Sequence, residues 1–348
     1  MDKPVFALLA IGYGQCVNRG NVAIREDETA IEARRFLLRL AATGGSAALS
    51  SEASRLAPED WDWAIDRARQ HRIFPLLRDW MGKFSPDLLD RLSESAHNGN
   101  SARHWAMKAM AQRGAAIELA RRFDEAEIRY TLLKGGALAL TAYPDPVLRP
   151  MRDLDILVSR ADALKAYEIA MKAGFLQRAD VAPHGLDDKH HLPILTGKNG
   201  VLLEVHHRLA ERGWSGEADL CQHLLDNSVL AEIGGYKVRI SNPVGTLLHL
   251  VAHAGLSHLF NNGPQVLADI HHLDRAHGLD WLLCRQLAEQ MGLGRALELL
   301  LAVYERHTDG ENPIKTDNSV PADLVDHTEQ LMLQHSALEW ERSLMRRH

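Results

Sequence analysis

The stretch from Leu132 to Val158, LLKGGALALTAYPDPVLRPMRDLDILV, constrains the fold of this 348-residue chain more than any other segment. A short apolar run leads into Lys134-Gly135-Gly136, and Asp153-Leu154-Asp155 opens a second apolar run, Ile156-Leu157-Val158. Short apolar runs bounded by glycine and proline are typical of buried strands. The sequence therefore predicts two strands, one leading into a glycine turn and the other carrying two carboxylates.

Apolar residues follow helical spacing on both sides of this stretch. We expect a poorly structured N-terminus at 1–27, an N-terminal helical region at 28–127, an α+β module at 128–241 and a C-terminal helical region at 242–348. Within the module, a helix is predicted over Ala161–Ala173, and Gly197–Gly200 is predicted to turn a hairpin between His191–Thr196 and Val201–His207. Tyr236–Ile240 is a further candidate strand. The predicted fold class is α+β, a small mixed sheet flanked by helices.

Net charge, apolar runs and cysteine spacing argue against several classes of protein. The formal net charge of −6 argues against an extended nucleic-acid surface, which requires a basic face. No apolar run approaches the roughly 18 residues needed to span a bilayer, and the short apolar run near the N-terminus lacks a signal-peptide cleavage site. Cys16, Cys221 and Cys284 are isolated from one another, which favours a reducing, cytoplasmic location and excludes a cysteine zinc site.

The two aspartates of the second strand predict a metal site. Successive strand residues alternate between faces, so Asp153 and Asp155 project together while Leu154 and Ile156 face a core. Paired carboxylates repel unless a cation lies between them, and two divalent ions can stabilise an in-line displacement at phosphorus. Glu204 is the candidate third ligand because it interrupts the apolar run Val201–Val205. The alternatives are capping or loop carboxylates for the aspartates and a solvated strand face for Glu204.

The glycine turn is a candidate phosphate site. Gly135 and Gly136 have no side chains, so phosphate oxygens can approach their backbone N–H groups at the start of a helix. Lys134, Arg149 and Arg152 could neutralise a triphosphate. The alternative for each arginine is an ordinary surface charge.

Taken together, these motifs are similar to those of a known protein superfamily. The region resembles the DNA polymerase-β-like nucleotidyltransferase superfamily, and more closely the bacterial family of uncharacterised nucleotidyltransferases. The matching segments are LLKGGAL, Tyr143-Pro144, Arg149, DLDILV and LLEVHHRL, and the similarity covers most of residues 50–306. The resemblance implies metal roles for Asp153, Asp155 and Glu204 and nucleotide contact at Gly135 and Gly136.

Two departures from the superfamily pattern accompany the resemblance. Gly136 stands where many active relatives have serine, which removes a hydroxyl contact to phosphate. The segment Tyr143–Arg152 lengthens the gap between the glycines and Asp153, and its role is not evident from the sequence.

Nineteen histidines suggest a rival interpretation. His249 and His253 share a helix face, and with downstream histidines and acids they could form the metal site of a phosphohydrolase. We instead expect this face to line the cleft without a metal of its own. His206 shares a strand face with Glu204 and is a candidate at the edge of the metal site.

The sequence thus predicts a Mg²⁺-dependent nucleotidyltransferase, with Mn²⁺ as an alternative ion. The donor would be an NTP, with ATP the expected one, and the acceptor a hydroxyl or phosphate on a small molecule or protein. A catalytically silent nucleotide-binding module is the first alternative, supported mainly by Gly136.

Overall fold

A computed structural model gives the fold and describes residues 30–89, 92, 102–177, 185–187, 189–210, 213–308 and 320–334. The predicted poorly structured N-terminus at 1–27 lies outside these residues. None of the described helices is long and apolar enough to cross a bilayer.

A seven-stranded mixed sheet forms the middle of the molecule, with the order β3-β4-β5-β2-β1-β7-β6. Strand β2 runs parallel to β5, and β1 runs parallel to β7 and antiparallel to β2. The strands are β1 (Tyr130–Leu132), β2 (Asp153–Val158), β3 (Leu176–Gln177), β4 (Leu195–Thr196), β5 (Leu202–His206), β6 (Val229–Ile233) and β7 (Tyr236–Ile240).

Helices precede, interrupt and follow the sheet. Before it lie α1 (Ile31–Ala42), a one-turn helix (Ser50–Ala53), α2 (Pro58–Gln70), α3 (Phe74–Phe84) and α4 (Ala102–Glu125). Within it are α5 (Lys134–Thr141), α6 (Ala163–Lys172) and α7 (Glu217–Asp226). After it come α8 (Pro243–Val251), α9 (Gln265–His277), α10 (Trp281–Gln290), α11 (Gly294–Arg306) and α12 (Ala322–Met332).

The two faces of the sheet contact different cores. On one face, Leu154, Ile156 and Val205 pack against apolar residues of α4 and α6, such as Phe123 and Ala166. The opposite face is covered by a helical layer. In that layer α1, α2 and α3 share one continuous core with α8, α9 and α11, so helices from the two ends of the chain pack together.

The fold prediction is confirmed, including both bounds of β2 and β7. Two details differ from the prediction, and both lie beside glycine turns. The hairpin around Gly197–Gly200 forms, but its first strand is limited to Leu195–Thr196. The unpredicted strand β6 pairs with β7 through Gly234 and Gly235, both with positive φ as a tight hairpin turn requires.

Candidate active site

Strand pairing brings the acidic residues together. Asp155 of β2 is the register partner of Glu204 of β5, and Asp153 lies two residues earlier on β2. The carboxylate oxygens of Asp155 and Glu204 and a ring nitrogen of His206 lie within 4.8 Å of one another. Within the described ranges, this is the only group of three or more His, Cys, Asp or Glu side chains close enough to hold a metal ion.

His206 bridges two of the carboxylates. Its Nε2 atom lies 2.9 Å from Oδ1 of Asp155 and 3.2 Å from Oε2 of Glu204, and its side chain is 1% exposed. Burial lowers the pKa of this imidazole, but hydrogen bonds to Asp155 and Glu204 outweigh burial and raise it to about 9. A protonated His206 therefore supplies positive charge between the acids.

The three carboxylates differ in their preference for the charged form. Burial, followed by the charges of Asp155 and Glu204, raises the pKa of Asp153 to about 6. Burial also opposes ionisation of Asp155, but the Lys134 ammonium and the His206 hydrogen bond hold its pKa well below the usual value. The pKa of Glu204 is likewise lowered, because the hydrogen bond from His206 outweighs burial.

This donor set fits a divalent cation. Besides burial, the negative charges of Asp155 and Glu204 raise the pKa of Asp153, so a cation beside these acids would favour its charged form. Carboxylate oxygens are the ligands that Mg²⁺ prefers, and a nearby imidazole is compatible with Mn²⁺. Asp155 and Glu204 are the carboxylates that the structure brings close enough to share an ion, and His206 hydrogen-bonds to both. Asp153, the predicted third ligand, lies outside this close group, although the charges of Asp155 and Glu204 act on it.

The glycine turn lies next to the acids. Lys134 has a φ of 42°, an unusual conformation for a residue with a side chain, and its Nζ atom lies 3.3 Å from Oδ1 of Asp155. The N–H of Gly136 donates to the carbonyl of Leu133, whereas the N–H of Gly135 has no backbone acceptor in the described part of the chain. Gly135, at the start of α5, therefore has the N–H group that is available to an anion.

The two glycines face different surroundings. A Cβ at Gly135 would lie 2.6 Å from Cγ of Met151 and 3.0 Å from Nη1 of Arg149, so the segment before β2 packs directly on this residue. A Cβ at Gly136 would instead meet Leu154 at 3.2 Å, on the apolar side of the turn. In this backbone conformation, the Cβ of a serine at position 136 would point toward the core. The missing hydroxyl is therefore weak evidence that the protein is catalytically silent.

Arg149 anchors the segment Tyr143–Arg152. Its Nε and Nη2 atoms donate to the two carboxylate oxygens of Asp269 on α9, at 2.7 and 2.8 Å. The hydroxyl of Tyr143 donates to the same carboxylate at 2.7 Å. Burial opposes the charged form of Arg149, but the charge of Asp269 outweighs burial and raises the pKa of the guanidinium. The lengthened segment is thus fixed to the C-terminal helices and held over Gly135.

A cleft of about 1310 Å³ opens in front of these groups. Lys134, Gly135, Arg149, Arg152, Asp153, Asp155 and Glu204 all line it. Further polar residues of the lining come from the π-helical turn Ala252–Ser257, which follows α8. His253 Nε2 lies 3.2 Å from His258 Nε2, and the Asn262 amide lies 3.3 Å from His253 Nδ1.

Two of the histidines predicted for the cleft do not line it directly. His249 is 2% exposed and lies behind the wall, although its charge would act on Asp155. His206 is covered by the carboxylates that it bridges. His253 lines the cleft as expected for its helix face.

Two cations of the N-terminal helical region also reach this site, and the sequence did not single them out. Arg72, in the turn between α2 and α3, lines the cleft. Lys108 of α4 is close enough to Asp153 and Arg152 for their charges to act on it. Neither residue lies in a motif, so only the packing of the helices brings them here.

Comparison with known families decides the identification. A sequence model of the family described as uncharacterised nucleotidyltransferase matches residues 57–309. The chain belongs to this family. The predicted resemblance is confirmed, and the match covers both the glycine turn and the acidic strands. No curated protein matches the chain significantly.

Two solved nucleotidyltransferase structures share a distant similarity with the chain. The antibiotic-resistance factor ANT(2'')-Ia is 17% identical over 57% of this chain and 97% of its own, with a TM-score of 0.37. An antigenic nucleotidyltransferase-like protein from Paracoccidioides brasiliensis is 16% identical over 57% of this chain and 93% of its own, with a TM-score of 0.35. Similarity at this level carries no argument about substrate.

Proposed function

We propose that the protein is a Mg²⁺-dependent nucleotidyltransferase that moves NMP from an NTP, with ATP the expected donor, to an acceptor hydroxyl or phosphate. The observation that carries the proposal is the register of Asp155 against Glu204, with Asp153 on the same strand and Gly135 at the adjacent turn. Family membership supports the same reaction class. The acceptor is a small molecule or a protein, and a cytoplasmic location belongs to the proposal.

The reaction requires an in-line displacement at the α-phosphorus. An acceptor oxygen forms a bond to this phosphorus while the bond to the bridging oxygen of the β-phosphate breaks, and pyrophosphate leaves with the electron pair. A hydroxyl acceptor loses its proton to solvent in this step. Bound Mg²⁺ or Mn²⁺ supplies charge neutralisation at the phosphates. Asp153, Asp155 and Glu204 hold the ion, and Lys134 and the N–H of Gly135 orient phosphate oxygens.

His206 has a positioning role in this proposal. Its hydrogen bonds to Asp155 and Glu204 fix the orientation of two carboxylates before an ion binds. Partners of this kind orient metal ligands and tune affinity for the ion. The cleft volume of about 1310 Å³ leaves room for a nucleotide and a second substrate, consistent with transfer between two molecules.

The substitution Asp155→Asn tests the proposal. It removes a metal ligand while keeping the size of the side chain, so we expect NMP transfer to fall to background and Mg²⁺ to lose its effect on NTP binding. Mass spectrometry after incubation with each NTP and Mg²⁺ or Mn²⁺ detects transferred NMP on proteins and small molecules. Glu118→Gln, on α4 and outside the cleft lining, is the control.

The silent-module alternative predicts a different outcome. In that case NTP binding would be the same with and without Mg²⁺, and the same in Asp155→Asn. Circular dichroism of the variant establishes that the fold is retained, so that loss of transfer is assigned to the site.

A further inference from the structure

Three cations without partners lie at or beside the cleft: Arg72 and Arg152 line it, and Lys108 is close enough to both for their charges to act on it. In the described part of the chain, the side chains of Arg72, Lys108 and Arg152 make no hydrogen bond or ion pair. By contrast, Arg149 is held by Asp269 and Lys134 contacts Asp155. Cations that are gathered together without a direct ion pair are a feature of anion-binding sites.

Two glutamine side chains link the elements that carry these cations to the segment before β2. Gln265 of α9 donates to the carbonyl oxygens of both Arg72 and Pro150, at 3.4 and 3.5 Å. Gln112 of α4 donates to the carbonyl of Met151 at 3.2 Å. Lys108 lies one helical turn before Gln112 and therefore on the same face of α4. Arg72 and Lys108 thus flank the segment that ends at Arg152, beside Asp153.

The electrostatics agree with this placement. Burial and then the charge of Arg149 lower the pKa of Arg72; the charge of Asp153 opposes this shift, and the charge of Arg152 adds to it. Burial and then the charge of Arg72 lower the pKa of Lys108, and Asp153 opposes the shift. The cations therefore repel one another, and a polyanion between them would relieve that repulsion.

The backbone at Arg72 is unusual as well. Its φ is 61°, in the left-handed region, at the position after the C-cap of α2 where glycine is the favoured residue. The N–H of Ile73 closes the turn on the carbonyl of Ala68 at 3.0 Å. A strained arginine at a position suited to glycine points to a role for its side chain.

We infer that Arg72, Lys108 and Arg152 bind the β- and γ-phosphates of the nucleotide, so that the N-terminal helical region completes the donor site and binds the pyrophosphate that leaves. This inference rests on the proposed function. Three cations suit the two phosphate groups of a diphosphate better than a single phosphate. A single phosphate already has Lys134 and Gly135 as candidate contacts, and both line the cleft near Asp155.

The test measures binding of pyrophosphate, ATP and AMP by titration calorimetry in Mg²⁺, with wild type and three variants. In Arg72→Gly, Lys108→Gln and Arg152→Gln we expect affinity for pyrophosphate and ATP to fall about tenfold or more, as the loss of a hydrogen bond to a charged group predicts. Affinity for AMP should stay unchanged. Arg72→Gly should also raise the melting temperature, because glycine relieves the strained φ.

Arg113→Gln is the matched control, since Arg113 is an exposed cation of the same helix α4. Wild-type protein that binds no pyrophosphate, variants that bind it as well as wild type, or equal losses for AMP would overturn the inference. The proposed function is judged separately by Asp155→Asn, whose loss of NMP transfer does not depend on these cations.

Discussion

Arg149 and Asp269 form a buried, two-pronged ion pair that joins positions 120 residues apart in the chain. The pair connects the segment before β2 to helix α9, and Tyr143 shares the same carboxylate. Because this segment covers Gly135 and leads into Asp153, the ion pair fixes the phosphate turn relative to the acids. The lengthened loop of this family member is therefore part of the site's framework.

Asp269→Asn should destabilise the fold. Removing one partner of a buried ion pair leaves an uncompensated charge, and the expected loss is about 3–5 kcal/mol in the free energy of unfolding. Urea unfolding measures it. The double variant Arg149→Met with Asp269→Leu should recover part of the loss, because both charges are then absent. If the double variant keeps its affinity for ATP, the role of Arg149 is structural; a lost affinity supports the predicted nucleotide contact.

The two glycines of the turn should respond differently to substitution. Gly135→Ala places a Cβ 2.6 Å from Met151 and should cost about 1–3 kcal/mol of stability. Gly82→Ala, in α3 with open space around it, is the control and should stabilise the fold by about 0.5–1 kcal/mol.

Gly136→Ser should leave NMP transfer within a few-fold of wild type, since its Cβ would face Leu154. Urea unfolding and the transfer assay check these outcomes, and a large gain in transfer by Gly136→Ser would contradict the geometry.

Local sequence patterns were sufficient to predict the two strands that carry the acidic residues. Alternation along DLDILV predicts Asp153 and Asp155 on one face, and an acid within the apolar run 201–205 indicates that Glu204 has a special environment. The register of β2 against β5 then brings Asp155 and Glu204 side by side. Parallel pairing of strands that are far apart in sequence is a tertiary feature, so the sequence indicated the residues and only the fold gives their distances.

Other features depend on long-range packing and had no local signal. Arg72 lines the cleft, and Lys108 lies close enough for the charge of Asp153 to act on it, because the N-terminal helices pack with the rest of the chain. Helical periodicity does not reveal this packing. Strand β6 was missed because it is an edge strand with exposed Val229 and Leu230 and without a buried alternating face. Its turn, Gly234-Gly235, was nevertheless a usable hairpin signal.

Buried neutral histidines should make the fold sensitive to acid. Burial, opposed by the charge of Asp269, lowers the pKa of His272 to about 4, and its ring packs 4.1 Å from that of Tyr143. Between pH 6.5 and 4 the unfolded chain binds a proton here that the folded chain does not, so stability falls as the pH falls through this window. His272→Gln should reduce the loss by about 1–3 kcal/mol. Urea unfolding at several pH values measures the slope, and His104→Gln, at an exposed position on α4, is the control. Equal slopes in wild type and His272→Gln would rule out this contribution.

His253 should affect the acceptor and leave the metal unaffected. It lines the same cleft as the acids, next to His258 and Asn262, and the three side chains form a hydrogen-bonded group of neutral donors and acceptors. Such a group suits a hydroxyl-bearing substrate. His253→Ala should therefore lower NMP transfer about tenfold or more, as expected for a lost hydrogen bond in a closed site, while NTP affinity and bound Mg²⁺ stay unchanged.

The matched control for this substitution is His277→Ala, at the exposed end of α9. Metal analysis of the purified variants separates the two interpretations of the histidines. A nucleotidyltransferase loses its bound divalent ion in Asp153→Ala and keeps it in His253→Ala. Stoichiometric zinc, manganese or iron that persists in Asp153→Ala and disappears in His253→Ala would instead assign the cleft to a phosphohydrolase, because the metal would then depend on the wall formed by α8.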